Sequence, residues 1–213
     1  MSFSNLSRRK LLQTGVAAGG AFVAQPAFAQ DTDEAPTTTR VVEDMILGDE
    51  AAPVTVIEYA SLTCPHCASF HLQVFNQIKE NYIETGKVKF IQRDVYFDRY
   101  GLWGSMVARC DKTKFFGIVD ILFKRQAEWS RVENPQDAIA AIFAVGRQAG
   151  LTDEQMDACV QDRVWAEELV AEYQKNAEAD DVQGTPTFMI DGVKEGNMPY
   201  NAFAAKLDAA LAS

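Results

Sequence analysis

Two cysteines separated by two residues, Cys64-Pro65-His66-Cys67, form the most chemically pointed pattern in the chain. A redox dithiol needs two sulfurs within bonding reach, and one helical turn places residues i and i+3 on the same face. The pattern follows a short apolar run and opens a helical one. The first N–H groups of a helix have no internal partner, and with the helix dipole they favour a thiolate at Cys64. A stabilised thiolate leaves readily and favours the dithiol form, which makes the disulfide oxidising. The same spacing also serves half a zinc site. Cys64, Cys67 and His71 fall at i, i+3 and i+7, but no fourth ligand lies near them in sequence, and structural zinc normally takes four.

Three further features bear on chemistry. Gly184-Thr185-Pro186-Thr187-Phe188 places an X-Pro bond at the head of a strand signal, where a cis bond or an ordinary turn would fit. Glu58 interrupts an apolar strand six residues before Cys64. A carboxylate there either points to solvent or is buried, and burial is costly unless the group is bonded, protonated or functional. Cys110 and Cys159 complete a set of four cysteines, which allows three pairings.

The elements around these residues are legible in outline. Val41 to Leu47 has strand character, Val54 to Ala60 reads as a buried central strand, and Lys87 to Phe97 reads as another strand. Between the last two a helix is expected from Pro65 to about Thr85. Its core stripe is Phe70, Val74, Ile78 and Tyr82, Pro65 suits its first position and Gly86 its stop. Strand, helix, strand in a parallel pair implies a right-handed crossover. From Asp98 to about Asp181 the pattern is helical. Asn134-Pro135 opens one helix, Thr152 with Gln155 resembles a capping box, and a longer helix spans Val164 to Ala179. A strand at Pro186 to Ile190, a turn at Asp191-Gly192 and a helix carrying Phe203, Leu207 and Leu211 close the chain.

Residues 1–29 read as an export signal. Arg8, Arg9 and Lys10 precede a mostly apolar stretch, and Ala27-Phe28-Ala29 has the small–x–small pattern of a cleavage site. Ser7 to Leu12 also resembles a twin-arginine signal, so both the Tat and the Sec route stay open. Residues 30–40 read as a flexible start. Cleavage would leave 184 residues, enough for a sizeable core. Without the three basic residues of the signal, 17 Lys and Arg face 30 Asp and Glu. Such a surface argues against nucleic acid or anionic lipid as the main partner. No cofactor or metal is expected.

Together, the dithiol, Thr185-Pro186 and the helical stretch between strands resemble the DsbA family of periplasmic oxidoreductases, within the thioredoxin-like superfamily. The likeness is to alphaproteobacterial members with a second cysteine pair, and it covers residues 41–213. It implies an α/β, thioredoxin-like fold with an inserted helical domain, the former from 41–97 and 182–213 and the latter from 98–181. Cys64 would be the exposed, attacked sulfur and Cys67 the buried one, with Pro65 and a protonated or hydrogen-bonding His66 tuning the thiolate. Glu58 would shuttle the proton of Cys67, Thr185 and Pro186 would meet substrate, and Cys110 with Cys159 would form a structural disulfide. One departure is His71, which stands where many members have Glu. The implied activity is a dithiol oxidase, donating the Cys64–Cys67 disulfide to reduced or unfolded exported proteins. The implied reoxidant is a DsbB-type quinone-linked membrane protein. Only 24 residues separate Gln30 from Val54, too few for the dimerisation domain of periplasmic isomerases, so a monomer is expected. The alternatives are a disulfide isomerase or reductase, and a non-catalytic peptide- or metal-binding module.

Overall fold

The computed structural model describes residues 40–213; the export signal and most of the flexible start expected from the sequence lie outside the described residues. Five strands form one sheet in the order β1-β3-β2-β4-β5. They are β1 (Met45–Leu47), β2 (Val54–Ala60), β3 (Val88–Asp94), β4 (Thr187–Ile190) and β5 (Val193–Gly196). β2 and β3 run parallel, with Glu58 opposite Gln92, while β1, β4 and β5 pair antiparallel with their neighbours.

The crossover between β2 and β3 is helix α1, residues 65–83, in which His71–Phe75 and Lys79–Ile83 are wide, π-helical turns. The described residues between β3 and β4 hold six further α-helices, one 3-10 turn (Lys112–Lys114) and no strand: α2 (Arg99–Arg109), α3 (Phe115–Lys124), α4 (Gln126–Trp129), α5 (Pro135–Gln148), α6 (Asp153–Gln161) and α7 (Arg163–Ala179). Asn134 and Thr152 cap α5 and α6, the latter in a full capping box. Helix α8 (Tyr200–Leu211) packs Phe203 and Leu207 inward.

Several boundaries differ from the sequence reading. The first strand begins at Met45 rather than Val41, because Val41 is 81% exposed and Arg40 and Asp44 are drawn to Asp162 and Arg93. The third strand ends at Asp94; Val95 adds one bond to Ala60, and Phe97 is then 57% exposed. Strand β5 carries too little apolar pattern to be seen in sequence. It follows from the Asp191-Gly192 turn, whose positive φ values of 44° and 83° make a two-residue hairpin.

Two large apolar clusters meet at α1. Val54, Val56, Phe70, Val74, Ile78, Phe188 and Phe203 pack the sheet against α1 and α8. Ala60, Leu62, Cys64, Cys67, Phe115, Leu122, Trp129 and Ile142 join the helix start to α2–α5. The two cysteines thus lie where the sheet-side core gives way to the helical one.

Candidate active site

Cys64 occupies the N-cap position of α1, with extended backbone (φ −79°, ψ 120°), and Pro65 takes the first helical position. An N-cap side chain ordinarily accepts from the N–H groups two and three residues on. The Cys64 sulfur makes no such bond at full hydrogen-bond geometry, but it lies close to those groups, and the backbone N–H groups of His66 and Cys67 both favour its thiolate. Its ionisation is brought down to about 5, first by hydrogen bonding from the Cys67 side chain, then by Thr185 and these two N–H groups, against the opposing effect of burial.

Cys67, one turn on, is fully buried, whereas Cys64 is 7% exposed. Burial, the Cys64 side chain and Glu58 all push the Cys67 thiol up. Both cysteines are free thiols. Cys64 thus offers only a small window to solvent, and Cys67 none.

β4 brings the opposing surface. The Thr185-Pro186 bond is cis, and the Cys64 thiol donates to the Thr185 carbonyl oxygen at 3.5 Å. The Thr185 hydroxyl is buried and has no partner at full hydrogen-bond geometry, yet it lies close enough to lower both thiols.

Glu58 shares a face of β2 with Val56 and Ala60, under α1, because strand side chains alternate. It is 2% exposed, and its Oε1 has no hydrogen-bond partner. Burial first, then the negative charges of Cys64 and Asp94, raise its carboxyl to about 8. The group is thus a buried acid that keeps its proton at neutral pH, within electrostatic reach of both sulfurs.

The reading of the His66 side chain is corrected, and His71, whose role the sequence left open, is placed. His66 is exposed and its imidazole makes no hydrogen bond among the described residues, so its contribution to Cys64 is its backbone N–H. His71 is buried and stacks on Phe75, and its Nε2 is 3.1 Å from Asp120 Oδ1 on α3. It does not join the cysteines, and among the described residues no group of three or more His, Cys, Asp or Glu is placed to hold a metal. Cys110, just past α2, and Cys159, on α6, are joined in a disulfide away from the dithiol.

Sequence reasoning passed over the residues that hold the turn before α1. Gln126 donates both amide hydrogens, to Leu62 O at 2.8 Å and Cys64 O at 2.9 Å. The Thr63 hydroxyl donates to Asp98 Oδ2 at 2.7 Å. Their partners are backbone carbonyls or lie far away in sequence, so no local motif marks them.

A dithiol at the start of a helix, facing a cis-proline strand on a sheet of this order, defines the thioredoxin-like class of thiol–disulfide oxidoreductases. The family model described as Thioredoxin matches residues 40–209, and the chain belongs to that family. Within it, the chain is of the DsbA type. A Rickettsia bellii protein provisionally named a protein-disulfide oxidoreductase is 32% identical over 198 residues, covering 89% of this chain and 75% of the relative. A Rickettsia felis protein named in the same way is 31% identical, covering 79% of this chain and 60% of the relative. The crystal structure of Wolbachia pipientis α-DsbA1 superposes with a TM-score of 0.73 at 27% identity, covering 82% of this chain and 94% of that one.

Proposed function

We propose that the protein is a periplasmic dithiol oxidase that passes the Cys64–Cys67 disulfide to reduced or unfolded exported proteins. The observation that carries this reading is the asymmetry of the pair: Cys64 stands at the N-cap position of α1 and is lowered to about 5, whereas Cys67 is buried and raised. Such a pair holds the reduced state as thiolate plus thiol, and stabilising the reduced state makes the disulfide a strong oxidant.

A substrate thiolate attacks Cys64 Sγ, the Cys64–Cys67 bond breaks, and Cys67 leaves as a thiolate. Glu58, protonated and close by, supplies the proton that Cys67 needs at its raised pKa. A second substrate thiolate then attacks the substrate sulfur of the mixed disulfide, because only that attack joins the two substrate sulfurs. Cys64 departs as the stabilised thiolate, and the enzyme is left with two more electrons. An external oxidant must remove them, and a DsbB-type quinone-linked membrane protein is the proposed one. Thr185 and Pro186 face Cys64 and supply backbone to which an extended substrate segment can pair, which suits broad substrate tolerance. The proposed protein is an exported monomer; no helix among the described residues is long and apolar enough to cross a membrane.

The test is the reduction potential of the Cys64–Cys67 pair in glutathione buffers, with Cys110 and Cys159 followed separately by mass. A value near the one already known for DsbA, about −120 mV, supports a disulfide donor. A value near thioredoxin's, about −270 mV, marks a reductant and sinks the oxidase reading.

A further inference from the structure

The strand-to-helix turn that delivers Cys64 is held from outside at each of its last three residues. The turn itself is closed by Cys64 N–H donating to Ser61 O at 3.1 Å. Gln126, on α4, reaches in and donates one amide hydrogen to Leu62 O and the other to Cys64 O. Between these two anchors, the Thr63 hydroxyl is held by Asp98, the N-cap of α2. Every one of these outside groups comes from the helical stretch between β3 and β4.

Gln126 is buried, and a buried amide left without partners costs about 1–3 kcal/mol. Its position is set by a break in the helical stretch. Arg125 leaves helical geometry (φ −107°, ψ 16°), and the Trp129 indole donates back to Leu122 O at 2.9 Å. The short helix α4 is thereby turned so that its first side chain meets the turn before Cys64.

The carbonyl of Cys64 matters more than most. It accepts the first hydrogen bond of α1, from Ala68 N–H at 3.1 Å, so its direction sets the axis of the first helical turn. That direction is governed by ψ of Cys64, the torsion that also fixes where the next N–H groups lie relative to the sulfur. Pinning this carbonyl therefore pins the start of the helix relative to the sulfur.

We infer that Gln126 is a positioning residue for the dithiol: by tying the carbonyls of Leu62 and Cys64 it fixes where the N–H groups of His66 and Cys67 lie relative to the Cys64 sulfur. It touches neither sulfur and acts through the backbone of the N-cap residue. Through it the helical stretch sets how oxidising the pair is, and a change in the seating of α4 alters the thiolate without altering Cys64, Pro65, His66 or Cys67.

The inference rests on Cys64 being the reacting thiolate, and the test separates the two. The Cys64 titration is read from thiolate absorbance in the reduced protein, and the equilibrium constant with glutathione is measured beside it. If the wild-type protein shows no thiol titrating well below the ordinary range, the reading of the site itself fails. Given a low wild-type midpoint, Gln126→Met keeps side-chain volume and removes both donors. Its midpoint is expected to rise by about one pH unit, with about a tenfold loss of oxidising power. Thr152→Ala, which removes a distant cap, is the control: it lowers stability and leaves the midpoint in place. A Gln126→Met protein that loses stability as the control does, with its midpoint unmoved, overturns the inference. Should that variant not fold, Gln126→Glu keeps the reach and sets a carboxylate against the two carbonyls. Its midpoint must also rise, and an unmoved one is equally fatal.

Discussion

Glu58 and Cys64 are held in opposite states by the same small volume. Unfolded, the carboxyl loses its proton near 4.5; folded, it keeps it to about 8. Between those values the folded protein binds a proton that the unfolded chain has released, so this group makes stability fall as pH rises. Cys64, lowered from 9.0 to about 5, does the reverse: over that window the reduced protein gains stability with rising pH, and loses it as pH falls through 5. Glu58→Gln removes the first effect and leaves the second common to both proteins. Urea unfolding of the reduced proteins at pH 5 and pH 8 should show the variant gaining on wild type across the window, by on the order of a few kcal/mol at the upper end. An equal difference at both pH values would mean that Glu58 is not the buried proton holder. Residue types made part of this site legible. The cysteine spacing, the carboxylate in an apolar strand and the Thr-Pro pair each carry their own signal, and the fold brings them together. Gln126, Thr63 and Asp98 carry none, because a side chain that serves a distant backbone carbonyl or hydroxyl looks like any polar residue.

Elements were readable where one face alone is buried or where a cap is spelled out. β2, the stripe of α1 and the caps of α5 and α6 follow from apolar spacing and from Asn134-Pro135 and Thr152. The wide turns inside α1 do not. Phe70 must pack on Phe188 and Phe203, while the next residue, His71, must pack on Phe75 and Phe123. A helix buried by two partners on different sides shows its demands only once both are in place. β5 stayed hidden for the opposite reason: Val193, Lys194 and Gly196 are exposed, and pairing with β4 holds it. At this scale Asp98 does two jobs, accepting Gly101 N–H at 2.9 Å as the cap of α2 and the Thr63 hydroxyl. Asp98→Ala should lower stability by about 1–2 kcal/mol, which is roughly 2–8 °C in Tm for a domain of this size. Asp98→Asn, which keeps an Oδ1 acceptor for Gly101 N–H and puts an amide donor where Oδ2 accepts from Thr63, should recover the cap's share of it by calorimetry. If the two variants melt together, the cap is not what Asp98 supplies.

Across the whole molecule, the two apolar clusters share α1, so the dithiol sits on the one element that both must agree upon. The disulfide between Cys110 and Cys159 acts on only one of these halves. It closes a loop of 49 residues that contains α3, α4, α5 and most of α6. In the chain-entropy model such a loop restrains the unfolded state by about 4 kcal/mol. The bond shares no hydrogen bond with Cys64, Cys67 or Glu58; Cys110 Sγ instead lies 3.8 Å from Gln155 O. A purely structural role therefore makes a double expectation for Cys110→Ala with Cys159→Ala, replaced together so that no odd thiol can exchange with the dithiol. Tm should fall by roughly 8–16 °C if the full restraint is lost, while the Cys64 titration midpoint stays where it is in the wild type. A shifted midpoint would show that the helical stretch relaxes when its loop is opened, and that the relaxation reaches the turn held by Gln126. An unchanged Tm would mean that the packing of Phe115, Ile118, Leu122 and Ile142 already confines the loop as tightly as the bond does.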